Sequence, residues 1–207
     1  MDDKDFWQRY AWIYKAVMEK GSGRLYSELC AEIRAILRQD MAVFEAACGS
    51  GQLSYPLSEC VSSWEATDFS SEMIAQAVKR KNPPDSLRFS VQDVTALPYS
   101  AERFDAAVIS NALHIMPEPE RALAEIFRVL KPGGFLFAPT FVQERRAIYR
   151  ARVKAMKLFG FHLYHPWTGT ELADFVARHG FAVVGRKMMR RGFLPLCCII
   201  ARKADGQ

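Results

Sequence analysis

The sequence predicts an α/β fold, a doubly wound and mostly parallel seven-stranded sheet that ends in an antiparallel hairpin. Between residues 41 and 141, short apolar runs alternate with helical patterns, which is typical of strands joined by crossover helices. The first apolar run closes on a glycine turn at residues 49–51, as a strand does when a helix follows it. The last two runs are joined only by Arg190, Arg191 and Gly192, too short a link for a crossover, so they should pair antiparallel.

Hydrophobic periodicity and breaker residues place the individual elements. The predicted helices are Lys4 to Glu19, Arg24 to Arg38, Ser70 to Arg80, Glu118 to Leu130, a helical stretch after Gln143, and a last one that ends at His179. The predicted strands are residues 41–47, 64–67, 87–92, 104–110 and 133–141, followed by the hairpin strands Phe181 to Met189 and Phe193 to Ala201.

Local chemistry supports the ends of these elements. Pro132 blocks continuation of the helix before it, and the glycines at 133 and 134 accept positive φ ahead of the next strand. Thr168 and Glu171 have the spacing of a capping box, so they should start the last helix. The adjacent Cys197 and Cys198 point to opposite faces of a strand and are interpreted as core residues.

Composition bounds the class of protein. A chain of 207 residues with 50% hydrophobic content can bury about 70% of its unfolded surface in one core, so a single domain over residues 1–207 is expected. No signal peptide or membrane span is recognisable, and the five cysteines form no CxxC pair, which predicts free thiols in a cytoplasmic protein. Residues 145–191 carry eleven Lys or Arg against two acids, so something acidic could dock there.

In an open parallel sheet, ligands bind beyond the carboxyl ends of the strands, where the winding direction reverses. The polar residues that close the first four predicted strands are Glu45, Asp68, Asp93 and Asn111. Carboxylates at such ends suit ribose hydroxyls, an adenine amine and an amino acid moiety. The pattern therefore predicts a site for an adenosine-containing cofactor.

The glycine turn helps to choose the cofactor. A dinucleotide loop needs a third glycine three residues after Gly51, and this chain has Ser54 there, which disfavours a nicotinamide cofactor. Asp68 lies nineteen residues beyond Gly49, the distance at which an acid can bind both ribose hydroxyls. The alternative is that Asp68 caps the helix that begins near Ser70.

Five motifs together resemble the class I S-adenosylmethionine-dependent methyltransferases, in particular the small-molecule branch that includes quinone methyltransferases. They are EAACGSG at 45–51, ATDFSSEMI at 66–74, VQDVTALPYS at 91–100, FDAAVISNALHIM at 104–116 and RVLKPGG at 128–134. The resemblance implies a Rossmann-like methyltransferase fold that binds S-adenosylmethionine (SAM). One departure is Ala47, where the family usually has glycine, and a methyl fits there if the residue keeps a negative φ.

The resemblance also implies roles for single residues and segments. Residues 1–40 would form a helical lid, 41–141 the cofactor-binding core, 142–167 a substrate cover, and 168–207 the C-terminal helix and hairpin. The implied cofactor contacts are the lid residue Tyr14, the methionine-side residues Glu45, Ala46, Gly49, Gly51 and Asn111, the ribose acid Asp68, the adenine faces Phe69 and Met73, and the adenine edge Asp93 and Val94. Core packing is the alternative role for Tyr14.

Methyl transfer by direct displacement needs a base only when the nucleophile is protonated. His114, on the loop after the fourth strand, is the candidate base, and packing or orienting the cofactor is its alternative role. The substrate cover could line the acceptor pocket with Phe161, His162, Tyr164, His165 and Trp167, although a surface helix with a basic face is an equally simple interpretation. A metal site is not expected, because His162 and His165 have no third ligand at a suitable spacing.

The expected function is methyl transfer to a small-molecule acceptor. Three alternatives stay open. The acceptor could be embedded in a membrane, with the basic amphipathic helix after Gln143 resting on anionic lipid. The chain could also be a nicotinamide-dependent oxidoreductase or a non-catalytic nucleotide-binding scaffold. Nucleic acid is an unlikely substrate, because Asn111 is followed by Ala112 and Leu113 rather than by the two prolines and aromatic usual in enzymes that methylate base amines. The acceptor, the methylated atom and the oligomeric state are not determined by the sequence.

Overall fold

The computed structural model describes residues 23–80, 82–144, 149, 151–154, 163–190 and 194–204. Its strands are β1 Ala42–Ala46, β2 Ser63–Asp68, β3 Leu87–Val91, β4 Phe104–Ile109, β5 Leu130–Phe141, β6 Phe181–Met189 and β7 Leu196–Lys203. Its helices are α1 over residues 23–34, α2 Ser54–Ser58, α3 Ser71–Ala77, α4 Pro119–Val129, α5 over residues 151–154 and α6 Gly169–Arg178, with a 3₁₀ turn at Leu113–Ile115.

The seven strands of the described chain form one sheet in the order β3-β2-β1-β4-β5-β7-β6. The pairs from β3 to β5 are parallel, whereas β7 runs antiparallel to both β5 and β6. The predicted doubly wound sheet with a final hairpin is therefore confirmed. The winding direction reverses between β1 and β4, which places a crevice at the carboxyl ends of these two strands.

Two apolar layers hold the helices on the two faces of the sheet. On one face, Leu29 of α1 and Leu57 of α2 pack in a cluster with Trp64 of β2. On the other face, Leu123 and Ile126 of α4 are fully buried in a second cluster. Each such side chain contributes about 1.5–3 kcal/mol by leaving water. The sheet is thus buried on both sides, and its carboxyl edge is a rigid base for a site.

The predicted element ends agree with the structure where their chemistry is local. Thr168 accepts from the backbone N–H of Glu171, and the Glu171 side chain accepts from the backbone N–H of Thr168, which confirms the capping box. Gly133 takes the expected positive φ of 67°, whereas the positive φ expected at Gly134 is wrong, because this residue leads directly into the part of β5 that pairs regularly with β4. A Cβ on Gly134 would lie 2.8 Å from the carbonyl oxygen of Lys131, so this glycine permits a close backbone approach.

The connection between β3 and β4, residues 92–103, contains no helix. Instead, Val94 and Leu97 are buried in the cluster that contains Leu123 and Ile126 of α4. The segment crosses the sheet as irregular backbone, so its polar groups need partners outside the segment itself.

Several predictions fall on residues outside the described ranges. These are Tyr14 with the first helix, Phe161, His162, and the hairpin residues Arg191 and Gly192. Within the described ranges, no helix combines the length and the apolar character that a membrane crossing requires.

Candidate functional site at the carboxyl edge of the sheet

The turn after β1 contains three residues with positive φ, namely Ala47 at 52°, Gly49 at 55° and Gly51 at 77°. A Cβ on Gly51 would lie 3.0 Å from the ring of Tyr55 and 3.2 Å from that of Phe89, so both the backbone and the space require glycine there. A Cβ on Gly49 would meet no atom of the described chain within 4 Å. The backbone at Gly49 therefore borders open space that a ligand can approach.

The backbone of Ala47 differs from the expectation. A methyl fits there without strain only at a negative φ, and the observed φ is 52°. The turn needs this conformation to bring the N–H of Cys48 within 2.9 Å of the carbonyl oxygen of Thr67 on β2. In the left-handed region a Cβ crowds the following carbonyl oxygen at a cost of about 1–2 kcal/mol. The alanine is therefore accommodated under strain rather than without cost.

Replacing Ala47 with glycine is expected to raise the free energy of unfolding by about 0.5–1 kcal/mol. The strain that is relieved, about 1–2 kcal/mol, is larger than the opposing entropy cost. That cost, about 0.4–1 kcal/mol, arises because glycine makes the unfolded chain more flexible. Urea unfolding measures this difference. Ala182→Gly, on the exposed face of β6, is the control and should lose stability. A loss of similar size in Ala47→Gly would contradict the strain.

Asp68 ties the glycine turn to the end of β2. Its Oδ2 accepts from the backbone N–H of Gly49 and its Oδ1 from that of Ser70, both at 2.9 Å. Burial raises the pKa of this carboxyl, and the two amide donors oppose that effect. The N-cap of α3 is Ser70, whose hydroxyl accepts from the N–H of Met73. Asp68 therefore shapes the turn instead of capping the helix.

Glu45, at the end of β1, is 1% exposed. Its Oε2 accepts two side-chain hydrogen bonds, from Ser54 Oγ at 2.6 Å and from Trp64 Nε1 at 2.7 Å. Burial raises the pKa of Glu45 to about 7, and the nearby charge of Asp68 acts in the same direction. Ser54, where a dinucleotide loop would have glycine, thus orients an acid.

Glu45, Ala47 and Gly49 border a cleft with about 460 Å³ of empty space, part of it open to solvent, whereas Asp68 lies behind its lining. The predicted site residues that line the cleft are Glu45, Gly49, Met73 and Asn111. The lining residues that the sequence analysis did not assign to the site include Tyr26, Cys48, Ser50, Gln52, Leu53 and Ser110.

The remaining predicted cofactor residues lie at or behind the same edge. Phe69 follows β2 and is 38% exposed, whereas Val94 is buried. Asp93 follows β3, and its Oδ1 accepts from both the N–H and the hydroxyl of Thr95 at 2.8 Å. The side chain of Ala46 packs in the core, so only its backbone can face a ligand.

Asn111 lies opposite the glycine turn, at the end of β4, with a positive φ of 52°. Its Nδ2 donates to the hydroxyl of Tyr26 on α1 at 3.3 Å, and its buried Oδ1 has no hydrogen-bond partner among the described residues. Burial raises the pKa of Tyr26 to about 12, so its hydroxyl stays protonated. The cleft therefore offers an unused acceptor on Asn111.

His114 lies in the 3₁₀ turn after β4 and is 3% exposed. Its ring packs edge-on against Phe141 at 6.1 Å, and its carbonyl oxygen accepts from the N–H of His165. Burial lowers the pKa of His114 to about 3, and His165 adds to that effect. A base with that pKa takes a proton poorly at neutral pH. The burial favours the packing role, and the base role stays a prediction.

Two of the aromatic residues predicted for the substrate cover, His165 and Trp167, stack on each other. His165 stacks on Trp167 with 4.8 Å between ring centroids, and Trp167 packs on Phe175 of α6 at 4.5 Å. The Nε2 of His165 is buried without a hydrogen-bond partner among the described residues, whereas Tyr164 is 43% exposed. Trp167 is thus held against α6, and His165 carries an unused polar atom.

A second cavity opens beside this stack, after the end of β5. It has about 650 Å³ of empty space, part of it open to solvent. Its apolar walls are Val142, Tyr149, Val153 and Leu194, and its polar residues are Gln143, Glu144 and Lys154. Trp167 joins the two regions, because its carbonyl oxygen accepts from the N–H of Gln143. The cover region therefore contains a cavity of mixed apolar and polar lining that the sequence analysis did not identify.

No three His, Cys, Asp or Glu residues of the described ranges lie close enough together to hold a metal ion.

Comparison with known proteins agrees with this geometry. Residues 44–138 match a family model described as a methyltransferase domain. A demethylmenaquinone methyltransferase from Renibacterium salmoninarum is 40% identical over 99 residues, which are 48% of this chain and 40% of that protein. A ubiquinone/menaquinone biosynthesis C-methyltransferase from Roseobacter denitrificans is 31% identical over 156 residues, 73% of this chain and 61% of that protein. The chain thus spans about half of the length of the relatives that it matches.

Among solved structures, an S-adenosylmethionine-dependent methyltransferase from Methanosarcina mazei superposes with a TM-score of 0.70 at 25% identity, over 84% of this chain and 97% of that one. The sheet order, the crevice between β1 and β4, and the family match define one class. The chain carries a class I S-adenosylmethionine-dependent methyltransferase domain, as the resemblance of its motifs implied.

Proposed function

We propose that this chain transfers a methyl group from SAM to a small-molecule acceptor by direct in-line displacement. The observation that carries this proposal is the cleft at the crevice between β1 and β4, which is lined by Glu45, Gly49 and Asn111. Asp68 shapes the glycine turn beside it by accepting from the N–H of Gly49 at 2.9 Å. A cleft with an acid and polar groups beside an open glycine turn suits a ligand that combines a cation with polar hydroxyl groups.

The residues present fit SAM. Glu45 and the free Oδ1 of Asn111 would face its methionine part, and Asp68 would bind the ribose. Phe69 and Met73 would pack on the adenine, with Asp93 and Val94 at its edge. Tyr26, which lines the cleft, would also contact the cofactor, and the lid role of Tyr14 stays a prediction. Open space before Gly49 leaves room for the ligand.

SAM supplies an activated methyl group on a sulfonium, so no covalent enzyme intermediate is required. The protein acts by holding the acceptor atom in line with that methyl and by excluding water, which can contribute about 7–11 kcal/mol. We propose residues 142–167 as the cover that does this. The apolar walls of the second cavity, Val142, Tyr149, Val153 and Leu194, support an apolar acceptor, as do the quinone-related names of the relatives.

A dissolved acceptor in the cytoplasm is preferred over a membrane-embedded one. Three described cations of the basic segment already have partners in the protein. Lys187 pairs with Glu32, Arg190 pairs with Glu144 at 2.7 Å, and Arg186 donates to Thr170 at 2.9 Å. These cations are therefore poor anchors for acidic lipid. All five cysteines are free thiols, which supports a reducing compartment.

Calorimetry with SAM and with S-adenosylhomocysteine tests the cofactor. We expect both to bind with micromolar or tighter affinity, and NAD, as the control, to release no binding heat. A metabolite extract incubated with the protein and SAM labelled in its methyl group then reports the acceptor by mass spectrometry. Binding of NAD without binding of either adenosyl ligand would refute the proposal.

A further inference from the structure

The segment between β3 and β4 carries the proposed adenine-edge residues Asp93 and Val94 on irregular backbone. A helix would satisfy most of its own backbone groups, whereas in this segment the backbone of Leu97, which is 6% exposed, takes its partners from another element. The backbone groups of Leu97 and Tyr99 find their partners on α4. These partners are two side chains, Glu125 and Arg128.

Glu125 and Arg128 clamp the segment with three hydrogen bonds. The N–H of Leu97 donates to Glu125 Oε2 at 2.7 Å, while Arg128 donates to the carbonyl oxygens of Tyr99 at 2.7 Å and of Leu97 at 3.0 Å. Arg128 also makes a two-pronged ion pair with Glu125, with both N···O distances at 2.7 Å. The planar guanidinium can serve all these acceptors together, whereas an ammonium cannot present the same fork.

The segment continues from this clamp to the site. Asp93 lies four residues before Leu97, and the N–H of Ala96 donates to the carbonyl oxygen of Asp93 at 3.1 Å. Asp93 uses Oδ1 for Thr95, and no hydrogen bond from the described residues reaches its Oδ2. A carboxylate oxygen held in this way suits the amino group of adenine, which is a donor.

We propose that Arg128, through Glu125 and the backbone of Leu97 and Tyr99, is a positioning residue that places Asp93 to select adenine at the cofactor site. This inference rests on the proposed function. It assigns to α4, outside the cleft, control over which base the cleft accepts.

The test measures dissociation constants by calorimetry for S-adenosylhomocysteine and for S-inosylhomocysteine, which has a carbonyl in place of the adenine amine. The wild type should bind the inosine analogue at least about tenfold more weakly, because a carbonyl oxygen faces the Asp93 carboxylate. Arg128→Lys keeps the charge but not the fork. It should weaken S-adenosylhomocysteine about tenfold and bring the ratio of the two dissociation constants near one.

Arg121→Lys is the matched control, because Arg121 makes an exposed ion pair with Glu118 three residues before it on the same helix, as Arg128 does with Glu125. It should leave both constants unchanged. A double-mutant cycle adds a measurement that a general loss of stability would not move. After Asp93→Asn, the further change Arg128→Lys should have little effect on the ratio.

A ratio in Arg128→Lys equal to that of Arg121→Lys, or additive effects in the cycle, would overturn the inference. So would a wild type that binds both ligands equally, which leaves the proposed function intact. A wild type that binds neither adenosyl ligand refutes the proposed function itself, and the inference with it. Arg128→Lys is used instead of Arg128→Ala because it keeps the positive charge, so the question is decided even if the alanine variant fails to fold.

Discussion

Changing Asp68 to asparagine is expected to weaken SAM binding about 10- to 100-fold. Both carboxylate oxygens accept backbone N–H groups, from Gly49 and from Ser70. Asparagine keeps one acceptor oxygen, but its NH₂ group would face one of these two backbone N–H groups. Two donors cannot hydrogen-bond to each other, so the turn must move. Loss of hydrogen bonds to a charged group costs about 1.5–3 kcal/mol, which corresponds to the expected change in affinity.

Calorimetry with SAM measures this change, and circular dichroism checks that the variant is folded. Asp174→Asn is the matched control, because Asp174 is exposed on α6 and should bind SAM as the wild type does. If Asp68→Asn binds SAM normally, Asp68 does not contribute to the cofactor site.

The fold was predictable because its signals are local. Apolar runs of strand length, breakers such as Pro132 and the capping box at Thr168 each determine one element without reference to distant residues. The φ of Ala47 was not predictable in this way, because it depends on a hydrogen bond from Cys48 to Thr67 on the neighbouring strand. Tertiary contacts overrode the ordinary backbone preference of alanine there.

The site was predictable only in part, for the same reason. Glu45 and Asn111 end strands, so the sheet alone brings them to one edge. Tyr26 reaches Asn111 from α1, and Trp64 reaches Glu45 from the start of β2, through packing that no local pattern records. An aromatic N–H donor near a buried acid is a signal that could be sought in a sequence. The position of Trp64 relative to Glu45, however, follows from the register of β1 and β2, in which Phe44 lies beside Glu65.

Glu45 should make the stability of the protein fall as pH rises from 5 to 8. Burial raises its pKa in the folded state from 4.5 to about 7, so the folded protein holds the proton more tightly than the unfolded chain does. The stabilisation is therefore present below pH 4.5 and is lost as pH rises through about 7. Over pH 5–8 this amounts to about 2–3 kcal/mol.

Glu45→Gln isolates this contribution, because the amide oxygen can still accept from Ser54 and Trp64 while the group no longer titrates. Urea unfolding gives the free energy of unfolding of Glu45→Gln and of the wild type. The variant value minus the wild-type value should be about 2–3 kcal/mol larger at pH 8 than at pH 5. Glu118→Gln, an exposed control, should follow the wild type at both values. Parallel pH profiles for wild type and Glu45→Gln would show that Glu45 is already ionised in the folded protein.

The same proton links Glu45 to the proposed cofactor. Tyr26 and Cys48 stay protonated across this range because burial raises the pKa of each, which leaves Glu45 as the titrating group that lines the cleft, with the carboxyl of Asp68 beside it. A cation bound beside Glu45 favours its carboxylate, so SAM should release a proton at pH 6.5 and bind more tightly at pH 8. Calorimetry in two buffers with different ionisation enthalpies counts that proton, and Glu45→Gln should release none. Equal proton release from both proteins would place the cation of the cofactor away from Glu45.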